Sequence, residues 1–174
     1  GPMCDENPPS LLDCPAEGSP EQQKAASLPI LQLIGSLMYA EKTHPEIATA
    51  LSIVSAHGGN PGLAHYNAAL RILRYLRGNI HRRLTYRRSG GVTPHMFVSP
   101  GAKVAAQSCR TAQELMGMVD ANYAACPVTR RSRTGWAMFL AGAPVSWGSK
   151  KQTITALSSA ESEYIALASC AKDA

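Results

Sequence analysis

The order of structural signals in the last third of the chain constrains its fold more than any other feature. A short apolar strand over residues 117–121 carries one acid, Asp120. Two more strand-like runs follow at 136–140 and 144–149, and a helix begins near Ser158. The sequence Ala-Gly-Ala-Pro separates the second run from the third and is typical of a tight turn, so these strands should pair antiparallel. The pattern therefore predicts a β-β-β-α unit.

The rest of the chain divides by composition. Residues 1–28 are rich in Pro, Ser, Glu and Gln without an apolar period, which predicts a linker or disordered arm. Residues 29–88 show helical spacing and predict a bundle of three short helices. Residues 89–114 predict a variable connection, and the β-β-β-α unit occupies residues 115–174. The predicted class is α+β.

Helical spacing also predicts which side chains face a core. The apolar stripe of the first helix consists of Leu31, Ile34 and Met38 and is widened by Leu33 and Leu37, and Leu70, Leu73 and Leu76 share one side of the third helix. In the last helix Tyr164, Leu167 and Ala168 are expected to pack inward, with Ile165 partly so. The sequence further allows short strands at 82–88 and 96–98.

Composition excludes several classes of protein. The chain has no run of about 18 apolar residues and no basic-then-apolar start, so neither a membrane span nor secretion is expected. The five cysteines are scattered without a CxxC pair, which argues against a zinc site or a disulfide framework. We therefore expect an intracellular protein, cytoplasmic or nuclear, with reduced thiols.

The positive charge is concentrated in one segment. No Asp or Glu occurs from Ile47 through Gln113, although nine basic residues do, and the net charge of the chain is +5. This segment favours a polyanionic partner, most simply nucleic acid. The alternatives are an ordinary basic surface or a face that meets an acidic part of a longer protein. The basic residues expected to contact phosphates are Arg71, Arg74 and Arg77 on the third helix, Arg130, Arg131 and Arg133 in the loop after the first strand, and Lys150 and Lys151 at a hairpin end.

Two acids are candidate metal ligands. Asp120 on the first strand and one glutamate of the last helix supply the oxygen ligands that Mg²⁺ prefers. Glu161 and Glu163 are two residues apart, roughly 200° around a helix, so they cannot both face one site. We assign Glu163 as the ligand and Glu161 as the acid that caps the helix start. The alternative is that both glutamates only stabilise that helix start through its dipole.

A series of ordered motifs runs through residues 29–88 and 115–174. Two motifs resemble the end of a reverse transcriptase region: Leu-Ile-Gly-Ser-Leu-Met-Tyr at 33–39 and Thr-His-Pro-Glu-Ile at 43–47. The predicted helix of residues 65–78 resembles the thumb-like helix that follows that region. Four segments of residues 115–174 resemble a ribonuclease H signature. They are Asp-Ala-Asn-Tyr-Ala at 120–124, the basic loop at 129–135, Val-Ser-Trp-Gly-Ser-Lys-Lys-Gln at 145–152 and Ser-Ser-Ala-Glu-Ser-Glu-Tyr at 158–164.

Together these motifs resemble the C-terminal part of the Pol polyprotein of copia-type LTR retrotransposons, and this resemblance implies a specific role. It implies a thumb/connection region followed by an incomplete RNase H-like unit, which in the family removes RNA from an RNA–DNA hybrid with Mg²⁺ or Mn²⁺. Asp120 matches the first catalytic acid of the family, and Glu163 best matches the second. The family's next acid follows this helix and is not in the chain, so we expect weak or no cleavage by this chain alone.

Partners follow from the same interpretation. We expect contact with an RNA–DNA hybrid and with the rest of a Pol polyprotein, and the open edge of the incomplete sheet suggests a homodimer. The alternative function is a non-catalytic, co-opted module that binds nucleic acid or another protein.

Overall fold

The computed structural model describes residues 14–86 and 115–173, and the chain divides into two compact units between Arg83 and Leu84. Within the described ranges, the elements of the first unit are α1 (Pro20–Ala26), α2 (Ile30–Glu41), a 3-10 turn (Pro45–Ile47), α3 (Ala48–Ser55) and α4 (Leu63–Gly78). Those of the second are β1 (Met116–Asn122), β2 (Arg133–Leu140), β3 (Ala143–Lys151) and α5 (Ser159–Lys172). This mixture of helices and antiparallel strands is compatible with the predicted α+β class.

The first helix lies in the segment that the sequence predicted to be a linker. Its N-cap, Ser19, accepts a hydrogen bond from the backbone N–H of Gln22 at 3.2 Å, and Pro20 takes the first helical position. The helix has only seven residues and buries only Ala25, so no apolar period could reveal it. Residues 1–13 lie outside the described ranges.

The core of the first unit is aliphatic. It consists of Ile30, Ile34, Leu37, Ile47, Leu51, Val54, Ala69 and Ile72. The 3-10 turn begins at Pro45 and leads into α3, since proline is favoured in the first turn of a helix.

The predicted apolar stripes of this unit are confirmed only in part. In α2 the buried residues are Ile30, Ile34 and Leu37, whereas Leu31 and Met38 are mostly exposed. In α4 the helix buries Ala69 and Ile72 instead of Leu73. Both helices carry apolar residues at neighbouring positions, so spacing alone permits two different sides of the helix to face the core. Packing against the other helices determines which side is buried.

The second unit is an antiparallel sheet with strand order β1-β2-β3. The predicted turn between β2 and β3 is confirmed: Ala141 and Gly142 both have positive φ, of 52° and 84°, which suits a two-residue hairpin. The strand expected at 82–88 does not form in its described part, residues 82–86, because no ladder pairs with it. The strand expected at 96–98 lies outside the described residues.

Helix α5 packs against β1 and β2 through small residues. Its buried positions are Ser162, Ala166 and Cys170, four residues apart. The prediction that Tyr164, Leu167 and Ala168 pack inward is wrong, since all three are exposed. The largest apolar side chains of α5 do not lie on its buried side, because the small side chains there let the helix approach the sheet closely.

Across residues 14–86 and 115–173, no helix combines the length and the apolar character that a bilayer span requires.

Candidate functional site

Asp120 lies near the C-terminal end of β1 on an open part of the sheet. It is exposed, and its cross-strand partner on β2 is Gly135, which has no side chain. A Cβ placed on Gly135 would have no heavy atom within 4 Å. The missing side chain therefore leaves space beside the Asp120 carboxylate for a ligand or substrate group.

Strand alternation defines the face on which Asp120 lies. Met116 and Met118 share its parity and pack against the buried Phe139. A Cβ on Gly117, which has the opposite parity, would lie 3.5 Å from the Cys170 sulfur of α5. Asp120 therefore projects from the face opposite the one that α5 covers.

The first turns of α5 nevertheless lie at the same end of the unit as Asp120. Near the helix C-terminus, Cys170 lies beside Gly117 at the start of β1. Near its N-terminus, the Gln152 amide donates to the Ser162 carbonyl at 3.0 Å and to the Thr134 hydroxyl at 3.1 Å. Thr134 pairs with Ala121, the residue after Asp120. Glu163, half-buried beside Ser162, is thus brought to the Asp120 end of β1 on a packed element.

The two glutamates of α5 have different environments. The Ser158 hydroxyl accepts a hydrogen bond from the Glu161 N–H at 3.1 Å, and the Glu161 carboxylate accepts one from the Leu157 N–H at 2.6 Å. These two bonds satisfy donors at the helix start. The capping role predicted for Glu161 is confirmed, which leaves Glu163 as the candidate ligand on this helix.

The donor set fits part of a magnesium site. In the described part of the chain, no group of three His, Cys, Asp or Glu residues converges to hold a metal ion. Magnesium is, however, often held by one or two carboxylates together with waters and substrate phosphates. Asp120 and Glu163 match such a partial set in chemistry, and further ligands would come from substrate, water or another chain.

The basic residues of the second unit fall on different surfaces. Arg133 pairs with Asn122 on β1 and with Lys151 on β3, so these three form a row on the same face as Asp120. Lys150 pairs with Thr134 and has the parity of the α5-covered face. Arg130 and Arg131 lie in the β1–β2 loop, where the Arg130 N–H donates to the Cys126 carbonyl at 2.7 Å. Arg133 and Lys151 are therefore the cations placed with Asp120.

Burial changes the pKa of the Arg133 guanidinium. It is half-buried, and this desolvation lowers its pKa overall, although ionisation of the nearby Cys126 would partly offset the effect. A guanidinium ordinarily stays protonated at neutral pH, so Arg133 remains a fixed cation beside Asn122 and Lys151.

The three arginines of α4 form an exposed stripe in the first unit. Arg71, Arg74 and Arg77 recur every three residues and are all exposed, while Ile72 of the same helix faces the core. Positions three apart on a helix are neighbours, so the three charges follow one side of the helix.

Cys126 is a residue whose environment the sequence did not reveal. Burial would raise the pKa of its thiol, but hydrogen bonds from the Thr129 side chain and from the backbone of Thr129 and Val128, with the charge of Lys151, lower it overall. The basic residues that follow Cys126, namely Arg130, Arg131 and Arg133, were a signal, but the fold of the loop had to bring the donors to the sulfur.

Comparison with known proteins places the chain in a family. No protein-family model and no solved structure matches it. The chain is 36% identical over 154 residues to the retrovirus-related Pol polyprotein from transposon TNT 1-94 of Nicotiana tabacum, an alignment that covers 88% of this chain and 10% of that polyprotein. It is 27% identical over 141 residues to the corresponding polyprotein from transposon RE2 of Arabidopsis thaliana, covering 81% of this chain and 8% of that one.

A shorter relative is matched over most of its length. The secreted RxLR effector protein 161 of Plasmopara viticola is 33% identical over 149 residues, which cover 85% of this chain and 90% of that protein. The chain belongs to the family of retrovirus-related Pol polyproteins from copia-type transposons, as its motifs predicted. It spans about a tenth of the length of the full polyproteins it matches.

Proposed function

We propose that this chain is the part of a transposon Pol polyprotein that joins the thumb/connection of the reverse transcriptase to the first half of an RNase H-like unit. The role of that unit is metal-dependent cleavage of RNA in RNA–DNA hybrids, and the chain alone cleaves only weakly. The observation that carries the proposal is the placement of Asp120 and Glu163 at one end of the β1-β2-β3-α5 unit. Membership of the Pol family supports it.

The chemistry follows from the residues present. Two divalent cations, when bound, activate a water and relieve the charge on the leaving oxygen of a phosphodiester. Asp120 and Glu163 would supply carboxylate oxygens to them, and the space beside Gly135 would admit a strand of the hybrid. Arg133 and Lys151, on the Asp120 face, would hold a phosphate by charge-assisted hydrogen bonds. With two carboxylates instead of a full set, cation affinity and cleavage should both be low.

The test is cleavage of a labelled RNA–DNA hybrid at low salt with Mg²⁺ or Mn²⁺ under single-turnover conditions. We expect slow cleavage that is lost in Asp120→Asn and in Glu163→Gln. The matched control is Glu161→Gln, which changes the same residue type two positions away but only in the helix cap. Cleavage that persists in Asp120→Asn would contradict the proposal. Absence of cleavage with the hybrid still bound would favour the second candidate.

The second candidate is a non-catalytic module that binds nucleic acid. The specific observation in its favour is the exposed stripe of Arg71, Arg74 and Arg77, which lies in the first unit and does not depend on the acids of the second. Such a stripe would contact the phosphate backbone without reading sequence.

A further inference from the structure

Helix α5 is apolar on two opposite sides. One side, with Ser162, Ala166 and Cys170, packs on the sheet. The opposite side consists of Ala160, Tyr164, Leu167, Ala168 and Ala171, all exposed and none charged. Tyr164 is 73% exposed and Leu167 is 50% exposed. A helix on the surface of a globular protein normally carries polar residues on its outer side, so an apolar outer side indicates a surface that is covered in an assembly.

The exposed apolar surface continues beyond the helix. Leu157, directly before the N-cap Ser158, is 88% exposed, and Ile154 is also mostly exposed. The Tyr123 hydroxyl donates to the Leu157 carbonyl at 3.3 Å, which holds the half-exposed Tyr123 ring beside this loop. Contiguous exposed apolar residues of this kind mark interaction sites more often than isolated ones do.

We propose that this outer side of α5 binds a second copy of the chain through antiparallel packing of two α5 helices. Because the surface carries no charge, two copies can meet without repulsion, whereas an acidic or basic partner would find no counter-charge there. The three alanines permit close approach of the helix axes. A two-fold axis near the middle of the helix would bury Tyr164 and Leu167 of both copies in an isologous interface.

The charges at the ends of α5 are complementary to a second copy. Glu161 and Lys172 are eleven residues apart, which places them within about 20° of each other around the helix. They therefore border the same edge of the apolar surface, one in the first turn and one in the last. In an antiparallel pair, Lys172 of each copy would meet Glu161 of the other, and the opposed helix dipoles would favour the same orientation. Glu163 lies about 180° from Lys172 and stays outside these pairs.

Sedimentation equilibrium of the full chain tests this interface. We expect a concentration-dependent dimer whose dissociation constant rises at least about 30-fold in Leu167→Glu. The matched control is Leu31→Glu, which changes an exposed leucine on α2 and should leave the dimer intact. Lys172→Glu should also weaken the dimer, because it places two acids together. Far-ultraviolet circular dichroism verifies that each variant is folded.

Two results would overturn the proposal. One is a chain that remains monomeric up to its solubility limit, in which case another molecule or another part of the polyprotein covers α5. The other is a dimer that Leu167→Glu leaves unchanged, which would place the contact elsewhere, such as the free edge of the sheet. The readout is independent of hybrid cleavage, so failure here leaves the proposed function untouched.

Discussion

Gly148 on β3 lies against the indole ring of Trp136 on β2. A Cβ on Gly148 would lie 2.4 Å from two ring carbons, closer than any real contact. The Trp136 side chain thus occupies the space where a larger residue at position 148 would lie, on the sheet face opposite Asp120. The sequence alone could not identify Gly148 as the neighbour of Trp136, because that contact depends on the register of the strands.

Gly148→Ala should destabilise the second unit. The added methyl forces the indole to move, at a cost of about 1–3 kcal/mol in the free energy of unfolding. Gly135→Ala is the control on the same sheet, because a Cβ there would meet nothing within 4 Å. Denaturant unfolding followed by fluorescence measures this unit specifically, since both tryptophans, Trp136 and Trp147, lie in it. Equal midpoints for the two variants would contradict the packing.

The roles of individual residues can be predicted from the sequence where they depend on local geometry, as the two glutamates of α5 show. The distinction between Glu161 and Glu163 rests on local geometry, namely the spacing around a helix and the position of Ser158, and the hydrogen bonds of Glu161 confirm the cap. The pKa of Cys126 depends on a loop that brings Thr129 and Lys151 to the sulfur. That environment is set by tertiary structure, so spacing could not reveal it.

At the scale of elements, the sequence predicted where helices and strands begin and end better than it predicted which side of each helix is buried. Pro45 and the Ala141–Gly142 turn are strong local signals, and the elements begin and end beside them. The inward face of α5 was misassigned and that of α2 was assigned only in part, because each helix has more apolar residues than one buried face needs. Only the neighbouring elements select among such faces, so Leu31 and Tyr164 are exposed.

The arginine stripe of α4 gives a prediction for this element. Replacing Arg71 and Arg74 by alanine should weaken nucleic-acid binding and lower the slope of log K against log salt by about 2, since each phosphate contact contributes roughly 0.9. The matched control is Lys24→Ala with Lys42→Ala, which removes the same charge from exposed positions on and after other helices. Titration by fluorescence anisotropy at several salt concentrations measures both slopes. If the two double variants behave alike, net charge and not the stripe controls binding.

At the scale of the molecule, ordered motifs carried more information than composition did. Composition and the spacing of apolar residues indicated only an α+β protein with a basic segment, whereas the order of motifs identified the Pol family, which the relatives confirm. Spacing alone could not establish that α5 runs antiparallel to β1. That orientation depends on Gln152, which links the sheet to Ser162, and it brings Glu163 to the end of the strand where Asp120 lies.

The most direct test of this account is Mn²⁺ binding, measured by electron paramagnetic resonance, in a double-mutant cycle of Asp120→Asn and Glu163→Gln with Glu161→Gln as control. If both carboxylates hold one ion, each single substitution removes most of the binding and the double variant loses little more, with a coupling energy of about 1–3 kcal/mol. The control should bind as the unaltered chain does. Absence of Mn²⁺ binding, or losses that simply add, would show that Asp120 and Glu163 do not form one metal site.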